Sequence, residues 1–192
     1  MAQQLYFVAL LLPPNLTAIA HGWQQYCAAE FNSRGALHSP PHITLQPPFK
    51  IPTDEKEQVT HFLQQFASNS PAIAITLDGF NCFEPRVVYI DVQHSPELFN
   101  LQQQLKFGFS ETFQINDQRY GDRPFKPHVT IAFKDLSKPN FERAWAEFQH
   151  KKIHHEFWVN ELTLLAYRDQ SWQIEQQFSL QGDHLDESQI NP

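Results

Sequence analysis

One five-residue phrase occurs twice in this chain: Pro41-His42-Ile43-Thr44-Leu45 and Pro127-His128-Val129-Thr130-Ile131. Side chains of an extended strand alternate between two faces, so His42 and Thr44 share one face while Ile43 and Leu45 point to the other. His128 and Thr130 repeat that division. A sheet that buries the aliphatic face and opens the opposite one presents two imidazoles and two hydroxyls to a single cleft.

The rest of the chain supplies that sheet. Leu5 to Leu12 is a continuous apolar run closed by Pro13-Pro14, the pattern of a central strand covered on both faces. Asn15 is in place to cap a helix to about Phe31, in which Leu16, Ile19, Ala20, Trp23, Tyr26 and Cys27 recur at helical spacing. Ser39-Pro40-Pro41 forces extended geometry into the first phrase, and Pro47-Pro48 is expected to end it. Thr53 or Asp54 begins a second helix through Phe66. Ala72 to Leu77 and Val87 to Val92 read as a hairpin or neighbouring strands around a Gly79–Arg86 connection. Ser95 caps a third helix through Leu105. The stretch from Gly108 to Pro127 reads as a loop feeding the second phrase. A fourth helix spans about Asn140 to Gln149, and Phe157–Tyr167 and Trp172–Leu180 read as two last strands.

This order implies an α+β fold, bilobal and internally duplicated, with flanking helices around a central cleft. The phrases lie 86 residues apart, each followed by a helix of similar length and then by strands. Residues 1–181 read as one bilobal domain and 182–192 as a polar, frayed end. A chain of 192 residues with 41% hydrophobic residues, 18% charged residues and 17 Phe can bury a sizeable core without staples. Cys27 and Cys82 are expected to be reduced thiols. The first residues carry no basic charge, and Leu5–Leu12 is too short to span a membrane, so a cytoplasmic protein is expected; a monomer is the expected state. A net charge of -7 argues against an extended nucleic-acid surface, since affinity for phosphate backbones comes from many Lys and Arg contacts. A single phosphate or a short RNA end remains compatible.

Two facing imidazoles can divide acid and base work near neutral pH. A phosphodiester needs both: a proton removed from the attacking oxygen and one given to the leaving oxygen. Thr44 and Thr130 can donate hydrogen bonds to the non-bridging oxygens, whose charge grows in the transition state, and no metal or other cofactor is needed. The residues alone leave open which imidazole is the acid.

The two phrases resemble the paired H-x-T/S-x motifs of the two-histidine (2H) phosphoesterase superfamily, which includes the bacterial 2'-5' RNA ligase-like proteins and RNA 2',3'-cyclic phosphodiesterases. The opening Leu5-Tyr6-Phe7-Val8-Ala9 with Leu12-Pro13 resembles that superfamily's first strand, and Gln46-Pro47-Pro48-Phe49 looks closer to its broader 2'-5' RNA ligase-like branch. The resemblance implies a metal-independent phosphoesterase acting on a 2',3'-cyclic phosphate of an RNA end or nucleotide. It implies that His42 protonates the leaving ribose oxygen, that His128 deprotonates water, and that Thr44 and Thr130 hold the phosphate. Two alternatives stay open: a nucleotide or phosphometabolite binding module without turnover, and 2'-5' ligation by the reverse reaction.

Secondary candidates surround the second phrase. Lys126 and Arg123 can offset phosphate charge, and Tyr120 can stack on a base. Phe83 and Tyr89 could do the same, but core packing is the stronger reading in a chain so rich in Phe. His150, His154 and His155 lack the Cys or carboxylate spacing of a tetrahedral metal set, and His38 reads as exposed.

Overall fold

The computed structural model describes residues 2–116 and 124–181. Within them the chain forms strands β1 (Gln3–Leu11), β2 (His42–Pro52), β3 (Ile73–Phe83), β4 (Val87–Val92), β5 (His128–Ala132), β6 (His154–Val159), β7 (Glu161–Arg168) and β8 (Ser171–Ser179). Helices α1 (Pro14–Phe31), α2 (Lys56–Ser68), α3 (Pro96–Phe113) and α4 (Lys138–Phe148) alternate with them.

All eight strands join one antiparallel sheet in the order β6-β3-β4-β5-β2-β1-β7-β8. The two phrases begin β2 and β5, which are neighbours at its centre. Outward from that pair the two wings match strand for strand: β5-β4-β3-β6 on one side and β2-β1-β7-β8 on the other. The two lobes are therefore halves of a continuous sheet. Only Asn160 separates β6, on one edge, from β7, which pairs with β1 in the far wing. So short a link between distant wings requires the sheet to curl into a half-barrel.

The helices cross between the halves. α1, which follows β1, packs on β5 of the opposite wing, while α3, which follows β4, packs on β2. α4 lies beside α1 against β4 and β3, and α2 covers β7 and β8. The face beneath the helices buries the main core, including Val8, Leu10, Ile43, Leu45, Ile90, Val129, Ile131, Leu164, Phe109 and Phe148. Burial of each such side chain is worth about 1.5–3 kcal/mol. The opposite face carries a small apolar cluster of Phe7, Ala9 and Leu165 with Trp172 against it.

Several boundaries differ from the sequence reading, each for a physical reason. Pro13, not Asn15, caps α1, because Pro14 at the first helical position has no N–H to satisfy. Residues 53–55 form a 3-10 turn, so α2 starts at Lys56. β2 runs on through Pro47-Pro48, since it has already parted from β5 there and a proline on an unpaired side breaks no ladder bond. β3 continues through Gly79, whose φ of +75° accommodates an irregularity in the ladder with β4. α3 extends through the expected loop to Phe113: the ring of Phe62 lies directly over Gly108, where an added Cβ would come within 2.5 Å of it, while Phe109 continues the buried stripe. The run Phe157–Tyr167 is two strands, since Val159 and Glu161 pair with opposite wings. As expected, Ser95 caps α3. Cys27 and Cys82 are free thiols, and burial pushes the Cys27 thiol up to about 12.

Candidate active site

β2 and β5 meet through a single register pair, Ile43 opposite Val129. Their side chains point into the main core, so the neighbouring residues of each phrase point to the other face. Antiparallel pairing about that point sets His42 beside Thr130 and Thr44 beside His128. The two imidazoles are diagonal to one another, each next to the other phrase's hydroxyl. His42, Thr44, His128 and Thr130 are all half-buried.

The two histidines are held by the same device. Nδ1 of His42 lies 2.7 Å from the Pro40 carbonyl oxygen, and Nδ1 of His128 lies 2.7 Å from that of Lys126. A carbonyl can only accept, so each neutral imidazole carries its proton on Nδ1 and turns a bare Nε2 lone pair outward. Ser39 Oγ adds a second contact to His42 Nδ1 at 3.1 Å. The proline before each histidine fixes the extended turn that brings a carbonyl two residues back onto the ring.

Aromatic rings wall the cleft on both sides. Phe7 of β1 lies against the His42 ring at 4.7 Å between centroids and is backed edge-on by Trp172 at 4.5 Å. Tyr167 extends this row 5.1 Å from Trp172. On the other side Phe83 and Tyr89 contact the His128 ring at 5.0 and 4.9 Å. The Lys126 ammonium sits 5.3 Å from the Phe83 centroid and 5.5 Å from that of Tyr89.

Comparison with known proteins supplies the family of the chain. The sequence model of the 2'-5' RNA ligase superfamily matches residues 12–171. The chain belongs to the 2'-5' RNA ligase superfamily, within the two-histidine phosphoesterases. A Bacillus pumilus protein provisionally named a phosphoesterase is 30% identical over 178 residues, covering 91% of this chain and 96% of that one. One from Geobacillus kaustophilus, named in the same way, is 25% identical over 183 residues, covering 92% and 96%. Among solved structures, TT0787 of Thermus thermophilus superposes with a TM-score of 0.68 at 20% identity, covering 94% of this chain and all of that one. Apo LigT of Escherichia coli gives 0.66 at 19% identity, covering 94% and 99%. These two likenesses establish the fold.

In this superfamily member the electrostatics of the two histidines differ. Burial pushes the His42 imidazolium down to about 4; its carbonyl bond opposes this, and the charge of His128 adds to it. His128 is also lowered by burial, but the Lys126 carbonyl and the Asp91 carboxylate raise it while the Lys126 ammonium lowers it. Asp91 stands across from His128 in the β4–β5 register and is held by Asn81 Nδ2 at 3.1 Å.

The structure places the four phrase residues on adjacent strands and Lys126 at the His128 side of the cleft. Tyr120 and Arg123 lie outside the described residues. Phe83 and Tyr89 prove to be walls of the cleft instead of the helix-covered core, although Tyr89 is fully buried. Its hydroxyl has no hydrogen-bond partner among the described residues. Sequence reasoning missed Phe7, Trp172 and Asp91. For Phe7 a signal existed, since alternation in the first strand puts it on the face opposite Tyr6 and Val8; Trp172 and Asp91 reach the site only through strand register.

Proposed function

We propose that this protein is a metal-independent phosphoesterase that opens a 2',3'-cyclic phosphate on an RNA end or nucleotide by acid–base catalysis through His42 and His128. The observation that carries this reading is the matched presentation of two imidazoles, each with Nδ1 on a backbone carbonyl and Nε2 turned outward, across one open cleft. One Nε2 takes a proton from water as its oxygen bonds to phosphorus. The other, entering the cycle protonated, gives its proton to the ribose oxygen as the P–O bond breaks. The products are a phosphomonoester and a free hydroxyl, with the two histidines exchanged in protonation. Thr44 and Thr130 donate to the non-bridging oxygens, and Lys126 offsets their charge.

The row Phe7–Trp172–Tyr167 offers aromatic faces beside His42 on which a base can stack. The fold neighbour LigT has been solved with 3'-AMP and with NADP+, which supports a nucleotide phosphate as the occupant. Among the described residues no helix is long and apolar enough to cross a membrane, in keeping with a substrate taken from solution.

The test is incubation with 2',3'-cyclic nucleotides, and with a short RNA ending in a 2',3'-cyclic phosphate, in the presence of a chelator. The double variant His42→Ala/His128→Ala runs alongside. Monoester product from the native chain alone is the expected result. No product from either protein, with saturable nucleotide binding, would replace this reading with that of a binding module.

A further inference from the structure

The strands that carry the two phrases share an irregularity that neither phrase announces. Between β1 and β2 the register passes from Ala9–Thr44 to Val8–Gln46, which leaves Leu45 as an extra residue. Between β4 and β5 it passes from Tyr89–Thr130 to Val88–Ala132, which leaves Ile131 extra. Leu45 and Ile131 hold the same place in their phrases, immediately after the threonine. Each phrase therefore ends in a β-bulge, a device that bends a strand and re-aims its side chains.

A bulge takes backbone groups off the ladder, and beneath the helices no water is at hand to satisfy them. Two buried glutamines reach carbonyls at these bulges. Gln24 of α1, 2% exposed, donates from Nε2 to the Thr130 carbonyl oxygen at 3.1 Å. Gln102 of α3, 6% exposed, donates from Nε2 to the Leu45 carbonyl oxygen at 3.3 Å. Each amide oxygen has a partner on its own helix: Gln24 Oε1 lies 3.2 Å from His21 Nδ1, and Gln102 Oε1 accepts from Gln103 Nε2 at 2.7 Å. The crossed helices thus reach the two bulges one phrase position apart, at the threonine carbonyl in β5 and at that of the following residue in β2.

We infer that Gln24 and Gln102 are positioning residues that pin the paired bulges and so hold the His/Thr faces of β2 and β5 at their working separation. β2 and β5 touch only at Ile43–Val129 and then part. Without the side-chain donor, a bulge carbonyl regains a partner only by returning to the ladder, which expels the extra residue. A one-residue slip exchanges the two faces of a strand beyond that point. Thr44 or Thr130 would be the first side chain displaced, with the histidine two residues before it. The glutamines touch no reacting atom and act through the strand.

Gln24→Met and Gln102→Met keep side-chain length and bulk while removing the donor, and Val59→Ala in α2 serves as a destabilised control away from the phrases. The kinetic arm rests on the proposed phosphoesterase reading: each Met variant should lose roughly ten- to a hundredfold in kcat with a smaller change in KM, since a misplacement of about 1 Å can cost about a hundredfold. Val59→Ala should lower Tm and leave kcat unchanged. Imidazole NMR needs no activity: Gln24→Met should shift the His128 ring resonances more than those of His42, and Gln102→Met the reverse. Should a Met variant not fold, Gln24→Asn and Gln102→Asn keep an amide too short to reach the carbonyl and carry the same test. Folded variants with unmoved imidazole signals would overturn the inference even if the native chain turns nothing over. So would a kcat within about twofold of native, or an equal kcat loss in Val59→Ala.

Discussion

The two walls of the cleft repeat one backbone device and differ in everything placed around it. On the His42 side the ring rests on Phe7 with Trp172 and Tyr167 beyond, an apolar aromatic row. On the His128 side the ring lies against the paired Phe83 and Tyr89, with Asp91 across the ladder and the Lys126 ammonium over the two aromatic rings. The carbonyl that fixes each Nδ1 is common to both, so the duplicated backbone sets what the histidines can do. The walls surround His42 with apolar rings and set a carboxylate and an ammonium beside His128.

Four experiments bear on this contrast. The largest effect is expected where the halves are equivalent: His42→Ala and His128→Ala should each lower turnover of a cyclic phosphate by about 10²- to 10⁴-fold. The double variant should fall well short of the product of the two, because acid and base act in one step. A single variant with native turnover would show that one half carries the chemistry alone.

The aromatic walls come next. Trp172→Ala should raise KM for a cyclic nucleotide with little change in kcat, since a base–aromatic stack is worth about 1–3 kcal/mol, or roughly 5- to 150-fold. Phe83→Ala should act mainly on kcat, because that ring supports His128. Steady-state kinetics on both variants checks the split, and a KM effect confined to Phe83→Ala would move the base to the opposite wall.

The charged wall should show in the pH profile. The His42 imidazolium is pushed down to about 4 and that of His128 to below its ordinary 6.5. The kcat/KM profile of the free protein should therefore be a bell lying below pH 6.5, with both limbs belonging to the coupled pair. Asp91→Asn removes a negative charge that favours the His128 imidazolium, so the profile should move to lower pH. An upward or absent shift would show that Asp91 does not act on His128.

The smallest effect is on stability. A histidine whose pKa is lowered by folding binds its proton more readily in the unfolded chain. Stability should therefore fall as pH drops through 6.5 toward about 4. His42→Gln should flatten that dependence in urea denaturation between pH 7 and pH 4, and an unchanged slope would mean that His42 is not the group responsible.

The parts of this protein legible in its sequence were those governed by short-range rules. Alternation within each phrase put His and Thr on one face, apolar periodicity marked the helices, and a serine marked the start of α3. Local rules also misled where a tertiary contact overrode them. Gly108 reads as a helix breaker until the Phe62 ring is found over it, and Asn160 is one polar residue in a run until the sheet curls. Phe7, Trp172 and Asp91 belong to the site because of register between strands far apart in the chain, a property of pairing that no local window contains. The sequence by itself determined which side chains are candidates for the proposed chemistry. Tertiary structure alone decided which rings and charges stand beside each histidine, because cross-strand neighbours are chosen by sheet order and bulges and not by distance along the chain.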